Sequence, residues 1–287
     1  RDGERGSGVF SPISWDEAHN ELVSRLQNDG NRSLMVTGPL TGLLARVVSG
    51  FTKTSGVRHV ALEPMEQTVL RRAMKEVFQQ DRLPDLDIGN CEYLLSFGAD
   101  FLGTWGAPIR YAQSYGEFRQ GEHRKNRGTF VQVDSHFSMT TANADEWVPI
   151  KPGMEGLLAM SMSYVIISEG LGNPGAASEM TGGDGVQALE AFRPDAVAQR
   201  IGVSAKRIHD LAIAFATHRP SMAIGGDSAA AHSNGLFNLK AIYSLNYLVE
   251  SVNSKGGIIF NPAPPAAIPD TIGGATYEQW RSLVAQM

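Results

Sequence analysis

Residues 130–160 read FVQVDSHFSMTTANADEWVPIKPGMEGLLAM, and they contain the clearest signal of the fold class. Phe130 to Val133 is a short apolar run with the length of a buried strand, and the turn-forming pair Asp134-Ser135 follows it. The residues from Glu155 to Glu169 predict a helix. A strand, a polar loop and a helix in this order are typical of parallel sheets whose strands are connected by helices.

The same alternation of apolar runs and helical stretches continues on both sides. Further strands are predicted at Leu34 to Thr37, His59 to Leu62, Tyr93 to Phe97 and Met222 to Ile224. Further helices are predicted from the N-cap Ser14 to Leu26 and at Leu43 to Lys53, Glu66 to Gln79, Arg110 to Arg119, Ala205 to Thr217 and Leu236 to Val249. The pattern predicts an α/β fold with two doubly wound, mainly parallel sheet domains flanked by helices.

The chain length predicts more than one domain, since 287 residues suit two ordinary α/β domains. We place an N-terminal arm and first helix at residues 1–30, an incomplete first α/β domain at 31–109 and a second at 110–287. The stretch from Gly170 to Gly185 is rich in small residues and is interpreted as a surface loop. Because the chain starts at Arg1 rather than Met, we interpret it as a segment of a longer polypeptide.

Several predicted strands end in glycine and acidic residues. These turns are Thr37-Gly38-Pro39, Gly98-Ala99-Asp100, Asp134-Ser135 and Gly225-Gly226-Asp227-Ser228. Open α/β sheets bind ligands at this edge, where glycine lets the backbone approach a phosphate and a carboxylate accepts hydrogen bonds from a ribose or purine. The turns therefore predict a ligand site at the carboxyl ends of the strands.

Composition argues against several classes of partner and site. The net charge is −5, with no Lys and Arg stripe that could neutralise a nucleic-acid backbone, so we expect no nucleic acid. No apolar run has the roughly 18 residues of a membrane span. The single cysteine, Cys91, excludes an internal disulfide and a four-thiolate cluster in this segment, and we expect its thiol to be buried packing.

The order of these motifs resembles the molybdopterin oxidoreductase (dimethyl sulfoxide reductase) superfamily. The segments Val131 to Asp134 and Thr140 to Met160 are similar to the family's signature, in which a strand ending in V-D-P precedes I-R-P-G-T-D-G-A-L. Supporting matches lie at Gly6 to Ala18 and Leu95 to Asp100, and between Ala223 and Gly257. The resemblance extends from about Gly3 to Pro265.

In that family the strand-end loops hold the two guanine-dinucleotide arms of a bis-molybdopterin cofactor. Carried over residue by residue, the implied cofactor-binding positions are Gly98, Asp100, Asp134, Ser135, Gly153, Glu155, Gly225 and His232. Backbone amides of these loops would serve the diphosphates, and carboxylates would accept from guanine N–H groups.

The sequence departs from the family's pattern at key positions. Glu155 replaces the usual Asp, Asp100 the usual Asn, and Ser135 the usual Pro. The family's molybdenum ligand follows the second strand, where this chain has no thiol and offers only Glu63 and Glu66. Since an acidic residue at a helix start is stabilised by the helix dipole, we predict no catalytic and no metal-binding residue in this segment.

One branch of the family shares these absences, the cofactor-less molybdopterin-like domain of the iron–sulfur subunit of alternative complex III. The segment Glu63 to Gln67 and the run Lys151 to Met160 resemble it. The resemblance implies a scaffold without molybdenum cofactor in a membrane-associated, quinol-oxidising complex, peripheral on the periplasmic face of the bacterial cytoplasmic membrane. Its implied partners are iron–sulfur and cytochrome c components, with iron–sulfur clusters in neighbouring domains.

The alternative is an active enzyme with bis-molybdopterin guanine dinucleotide, similar to polysulfide or thiosulfate reductase. It predicts an open cleft lined by Gly98, Asp134, Glu155 and His232, whereas the scaffold hypothesis predicts that side chains or loops fill that cleft.

Other polar and aromatic residues have local explanations. His59 and His136 adjoin strand ends but are interpreted as hydrogen-bonded or surface residues. For Trp105 and Tyr111, stacking on a pterin, lining an interface and packing in the core remain open.

Overall fold

The computed structural model describes residues 2–29, 32–62, 67–120 and 127–262, which divide into two units between residues 62 and 67. The first unit contains α1 (Trp15–Asp29), β1 (Leu34–Thr37), α2 (Gly42–Ser55) and β2 (Arg58–Ala61). β1 and β2 pair in parallel, with Leu34 opposite Arg58 and Thr37 opposite Ala61, and α2 connects them. This is one strand–helix–strand repeat of the predicted type.

The first helix begins as its sequence predicts. The Ser14 backbone N–H donates to Glu17 Oε2 (2.8 Å), and the Glu17 backbone N–H donates to Ser14 Oγ (3.2 Å). This reciprocal pair is a capping box, which satisfies N–H groups that a helix start leaves without an intrahelical partner.

The second unit contains the remaining elements. They are α3 (Gln67–Phe78), β3 (Asp85–Leu86), β4 (Tyr93–Phe97), α4 (Pro108–Gln120), β5 (Thr129–Asp134), α5 (Met139–Ala142), β6 (Glu146–Pro149), α6 (Glu155–Ser168), α7 (Pro174–Met180), α8 (Pro194–Ile201), α9 (Ala205–Thr217), β7 (Ser221–Gly225), α10 (Gly235–Leu248) and β8 (Ile258–Ile259). Short 3₁₀ helices lie at Ile88–Asn90, Gly185–Phe192 and Asp227–Ala229.

Four strands of this unit form a fully parallel sheet in the order β6-β5-β4-β7. β3 and β8 form a separate antiparallel pair. If these four strands are counted in the order in which they occur in the chain, their order across the sheet is third, second, first, fourth. Parallel neighbours need crossover connections, and here helices form them on both sides of β4.

Both faces of the four-stranded sheet are buried. On one face Leu95, Phe97 and Val133 pack with residues of α6 and α9. On the other face Leu94 and Phe130 pack with residues of α3 and α4. A parallel sheet covered on both faces is the doubly wound arrangement, so the predicted α/β class, with parallel sheets flanked by helices, is confirmed.

The sequence interpretation was wrong in one connection and incomplete in others. Residues 170–185, predicted to be a surface loop, contain α7. Pro174 occupies the first turn of α7, and the side chain of Asn173 caps it by accepting from the Ala176 backbone N–H (2.9 Å). The edge strand β6 and the helix α8 were not predicted.

The four-stranded sheet includes strands from both sides of residue 110, because β4 precedes it and β5, β6 and β7 follow it. The predicted boundary between residues 109 and 110 stays a prediction about the complete protein. No helix within the described residues is both long and apolar enough to cross a membrane.

Candidate functional site

The candidate site is the edge of the four-stranded sheet at which its parallel strands end. β4 comes first of the four strands in the chain but lies between β5 and β7, so the order of strands reverses beside it. In open α/β sheets ligands bind in the crevice at such a reversal. The loops after β4 and β7 therefore form the centre of the site, and those after β5 and β6 lie beside it.

Gly98, directly after β4, allows the two central loops to touch. Its φ is +63°, and a Cβ there would lie 2.3 Å from Ser228 Oγ and 2.8 Å from the Ala229 backbone nitrogen. The conformation and the close approach both favour glycine. Gly98 is buried by the loop after β7.

The Asp100 carboxylate bonds to residues of its own chain. Thr140 Oγ1 donates to Asp100 Oδ1 (2.5 Å) and accepts from the Leu102 backbone N–H (3.0 Å). The Asp100 carbonyl oxygen accepts the backbone N–H groups of Gly103, Thr104 and Trp105. Asp100 thus stabilises a turn, and its carboxylate joins the loop after β4 to α5.

The turn places the indole of Trp105 in the crevice. A Cβ on Gly226 would lie 2.3 Å from the indole atoms Cε2 and Nε1. Trp105 is buried and stacks on Tyr111, with ring centroids 6.1 Å apart and planes inclined by 26°. Of the alternatives left open for these aromatic residues, core packing is what the structure contains.

Asp134, at the end of β5, is fully buried and hydrogen-bonded on both oxygens. Gln132 Nε2 lies 3.1 Å from Oδ2, and His136 Nδ1 lies 2.9 Å from Oδ1. The Asp134 carbonyl oxygen accepts the indole N–H of Trp147 (3.1 Å). His136 is exposed and hydrogen-bonded as expected, and Ser135 is half-buried beside it.

Glu155, at the start of α6, is also fully buried. Asn238 Nδ2 of α10 donates to Glu155 Oε2 (3.1 Å), while Glu155 Oε1 has no hydrogen-bond partner in the described structure. Burial raises the pKa of the Glu155 carboxyl above its usual value, against the smaller lowering effects of nearby backbone N–H groups and His232.

Asn238 also bonds the backbone around the start of α6. Its Oδ1 accepts the Gly156 backbone N–H (3.1 Å), and its Nδ2 donates to the carbonyl oxygens of Ala229 (3.0 Å) and Gly153 (3.4 Å). Asn234 Nδ2 donates to the Gly153 carbonyl oxygen at 2.7 Å. Asn238 thus bonds an N–H group that the start of α6 would otherwise offer to an anion, and both asparagines donate to the Gly153 carbonyl oxygen.

The two remaining predicted positions differ in exposure. A Cβ on buried Gly225 would lie 2.8 Å from Ile242 Cδ1. The absence of a side chain at Gly225 therefore leaves room for α10 rather than for a ligand. His232 is exposed, and its ring lies 3.4 Å from the place of a Cβ on Gly153.

The eight predicted positions all lie in the four loops at this edge or at the ends of the strands and helix beside them, but five of them are buried. The buried positions are Gly98, Asp134, Gly153, Glu155 and Gly225. The bonding roles of Thr140, Asn234 and Asn238 were not predicted. The available signal was a pair of asparagines four residues apart, one directly before the mostly apolar α10 and one within it.

Within the described residues, no three His, Cys, Asp or Glu side chains are grouped to hold a metal ion. Glu63 and Glu66 lie outside the described residues. Cys91 is buried, as predicted, and its Sγ lies 3.1 Å from the Tyr93 carbonyl oxygen.

Comparison with known proteins decides the family. A family model described as molybdopterin oxidoreductase matches residues 1–284. The chain belongs to the molybdopterin oxidoreductase family. The superfamily resemblance found in the sequence is therefore confirmed.

Curated members of this family match most of the chain. The menaquinone reductase molybdopterin-binding-like subunit of Nitratidesulfovibrio vulgaris is 29% identical over 265 residues, which cover 91% of this chain and 37% of that protein. The thiosulfate reductase molybdopterin-containing subunit of Salmonella typhimurium is 25% identical, covering 90% and 34%. The chain thus spans little more than a third of these relatives.

A solved structure has the same fold. Acetylene hydratase from Pelobacter acetylenicus superposes with a TM-score of 0.65 and 20% identity, covering 96% of this chain and 36% of that one. At this identity the likeness concerns the fold alone.

Members of the family normally bind molybdopterin, so the loops can be tested for fit to its guanine dinucleotide. In their described arrangement they do not fit. Asp134 and Glu155 are buried, the Gly156 N–H is bonded to Asn238, and an indole lies against Gly226. Of the four residues predicted to line an open cleft in an active enzyme, only His232 is exposed.

Proposed function

We propose that this chain is a non-catalytic scaffold in a membrane-associated, quinol-oxidising electron-transfer complex and that it binds no molybdenum cofactor. The supporting observation is that polar groups of the strand-end loops are hydrogen-bonded within the chain. Asn238 carries most of the argument, since it bonds the Gly156 N–H, the Glu155 carboxylate and two carbonyl oxygens at once.

The energetic reason lies in the burial of this network. Each internal hydrogen bond contributes about 1 kcal/mol, but a buried group left without its partner costs about 1–3 kcal/mol. A dinucleotide at the start of α6 would displace several bonds of one buried side chain. It would also have to approach the buried carboxylates of Asp134 and Glu155, which repel a diphosphate when ionised.

We propose that the eight family positions are vestigial, retained for their structural contacts. The finer assignment, to the branch of alternative complex III, rests on the missing thiol ligand and on the segment around Lys151 to Met160. The similarity to a menaquinone reductase subunit supports a role in respiratory electron transfer. The proposed partners are iron–sulfur and cytochrome c components, at the periplasmic face of the cytoplasmic membrane.

A second function is an active bis-molybdopterin oxidoreductase similar to polysulfide or thiosulfate reductase. One observation favours it, because Glu155 Oε1 is a buried acceptor without a donor in the described structure. Such an atom is satisfied by a ligand N–H if the loops open. The similarity to a thiosulfate reductase subunit agrees with this alternative.

Elemental and pterin analysis of the purified complex that contains this chain tests the two functions. The scaffold proposal expects neither molybdenum nor tungsten at this chain's site, in a complex that still oxidises quinol. Stoichiometric metal with pterin, assigned to this polypeptide after dissociation of the subunits, would replace it with the active enzyme.

A further inference from the structure

Gly226 shows that the crevice between the loops after β4 and β7 is shaped around an indole. Its φ is 178°, an extended conformation that any residue adopts, so the backbone does not require glycine there. The space does, because a Cβ would lie 2.3 Å from the Trp105 ring. The missing side chain at residue 226 therefore leaves room for the Cε2 and Nε1 atoms of the Trp105 indole.

The Trp105 ring is held in this place by its own loop. The Trp105 backbone N–H donates to the Asp100 carbonyl oxygen (3.1 Å), which fixes the turn. Tyr111 stacks on the indole, and Gly106, with φ +68°, leaves room for the Tyr111 ring at 2.7 Å from its missing Cβ. Two glycines thus make space for two stacked aromatic side chains.

The position of the indole coincides with the part of the fold that binds ligands elsewhere. Crevices at the reversal of strand order take nucleotides in open α/β sheets, and glycine-rich strand ends let flat or phosphorylated groups approach the backbone. Here the same crevice holds a buried ring that belongs to the chain.

We propose that Trp105 is an internal replacement for a bound nucleotide ring: its indole closes a purine-binding crevice between β4 and β7, and removing the indole reopens it. The proposal rests on the proposed cofactor-free function. It assigns to Trp105, supported by Tyr111, the exclusion of a guanine nucleotide from the site.

The test is GDP binding to the Trp105→Ala variant of the intact polypeptide, purified in its complex and measured by equilibrium dialysis. We expect the variant to bind GDP at least about tenfold more tightly than the wild type does. Phe215→Ala is the matched control, because it removes another fully buried aromatic side chain on the opposite face of the sheet. This control should bind no more GDP than the wild type.

The outcomes separate this proposal from the proposed function. A folded Trp105→Ala variant without added GDP affinity overturns the replacement role and leaves the cofactor-free scaffold standing if the wild-type complex lacks metal and pterin. Wild-type protein that binds GDP as tightly as the variant overturns it too, since the indole would then exclude nothing.

A second variant covers loss of folding. Trp105→Leu keeps an apolar side chain while removing the ring, and it is measured in the same way if Trp105→Ala is insoluble. Failure of both variants to fold would contradict the proposal, because Trp105 would then be a core residue on which the fold depends. Free indole should compete with GDP in whichever variant folds.

Discussion

The side-chain amide of Asn246 forms two hydrogen bonds with the backbone of Ala223. Asn246 Oδ1 accepts the Ala223 N–H and Asn246 Nδ2 donates to the Ala223 carbonyl oxygen, both at 2.8 Å. Ala223 lies in the middle of β7, at the edge of the sheet that no described strand covers. The amide of α10 thus bonds the groups that a neighbouring strand would otherwise bond, and the sheet ends there.

Replacing Asn246 with Ala should destabilise the protein by about 2–4 kcal/mol, because the substitution leaves a buried N–H and a buried carbonyl without partners. Urea denaturation of the purified protein measures the change. Asn20→Ala, the same substitution on an exposed helix position, should have little effect. Equal losses in the two variants would show that the Asn246 bonds contribute nothing specific.

The contact between Trp105 and Gly226 predicts a non-additive pair of substitutions. Gly226→Ala in the wild-type background should destabilise the protein by about 1–3 kcal/mol, because its methyl group collides with the indole. In a Trp105→Ala background the same methyl group enters free space and should cost much less. A double-mutant cycle of unfolding free energies measures the difference. Additive effects would mean that the ring and the glycine do not share the crevice.

The buried carboxyl of Glu155 predicts a pH dependence of stability. Burial raises its pKa in the folded protein above the usual 4.5, so the folded state retains the proton to higher pH than the unfolded chain does. The contribution of this carboxyl to the free energy of unfolding is therefore fully present below pH 4.5. It is lost as the pH rises through the raised pKa that the group has in the folded protein.

Glu155→Gln replaces the carboxyl with an amide that does not titrate. The stability of the variant relative to wild type should therefore increase as the pH rises from 4.5 through the raised pKa of Glu155. Thermal unfolding at a series of pH values measures it. Glu117→Gln makes the same substitution at an exposed glutamate on α4 and is the matched control. A flat difference for Glu155→Gln would contradict a raised pKa of the buried Glu155 carboxyl.

The ion pair of Asp145 with Arg119 predicts a structural role at the loop between α5 and β6. Arg119 Nη2 lies 2.8 Å from Asp145 Oδ1, and the Phe130 backbone N–H donates to Asp145 Oδ2 (2.8 Å). Although burial raises the pKa of Asp145, these bonds hold it below its usual value. The contribution of this carboxylate to the free energy of unfolding is thus present above pH 3.8. It is lost as the pH falls through the lowered pKa that the group has in the folded protein.

Asp145→Asn should cost about 1.5–3 kcal/mol at neutral pH, since hydrogen bonds to charged groups are worth about that much and Arg119 loses its anionic partner. Chemical denaturation at pH 7 and at pH 3 measures the loss, which should be smaller at pH 3. Asp195→Asn breaks an exposed pair with Arg193 and should change stability little. If Asp145→Asn loses no more stability than Asp195→Asn does, the bonds of Asp145 with Arg119 and Phe130 have no stabilising role.

Much of the fold could be predicted because its local patterns are strong. β1 and β4 were predicted with their observed bounds, since short apolar runs between turn residues indicate strands. β6 was missed because Glu146–Pro149 is an edge strand with partly exposed side chains and no apolar run. α7 was missed because glycine, alanine and serine dominate it, although its asparagine cap and N-terminal proline were visible in the sequence.

Local sequence patterns were enough to predict the family, the α/β class and the edge of the sheet at which we place the candidate site. These follow from periodicity, from turn residues and from the order of motifs, which are local properties of the chain. Tertiary structure alone decided what occupies that edge. Trp105 and Gly226 are 121 residues apart in the chain, and Asn238 reaches Glu155 from another helix. Whether a strand-end glycine faces a ligand or an indole depends on such distant contacts, which no local pattern encodes.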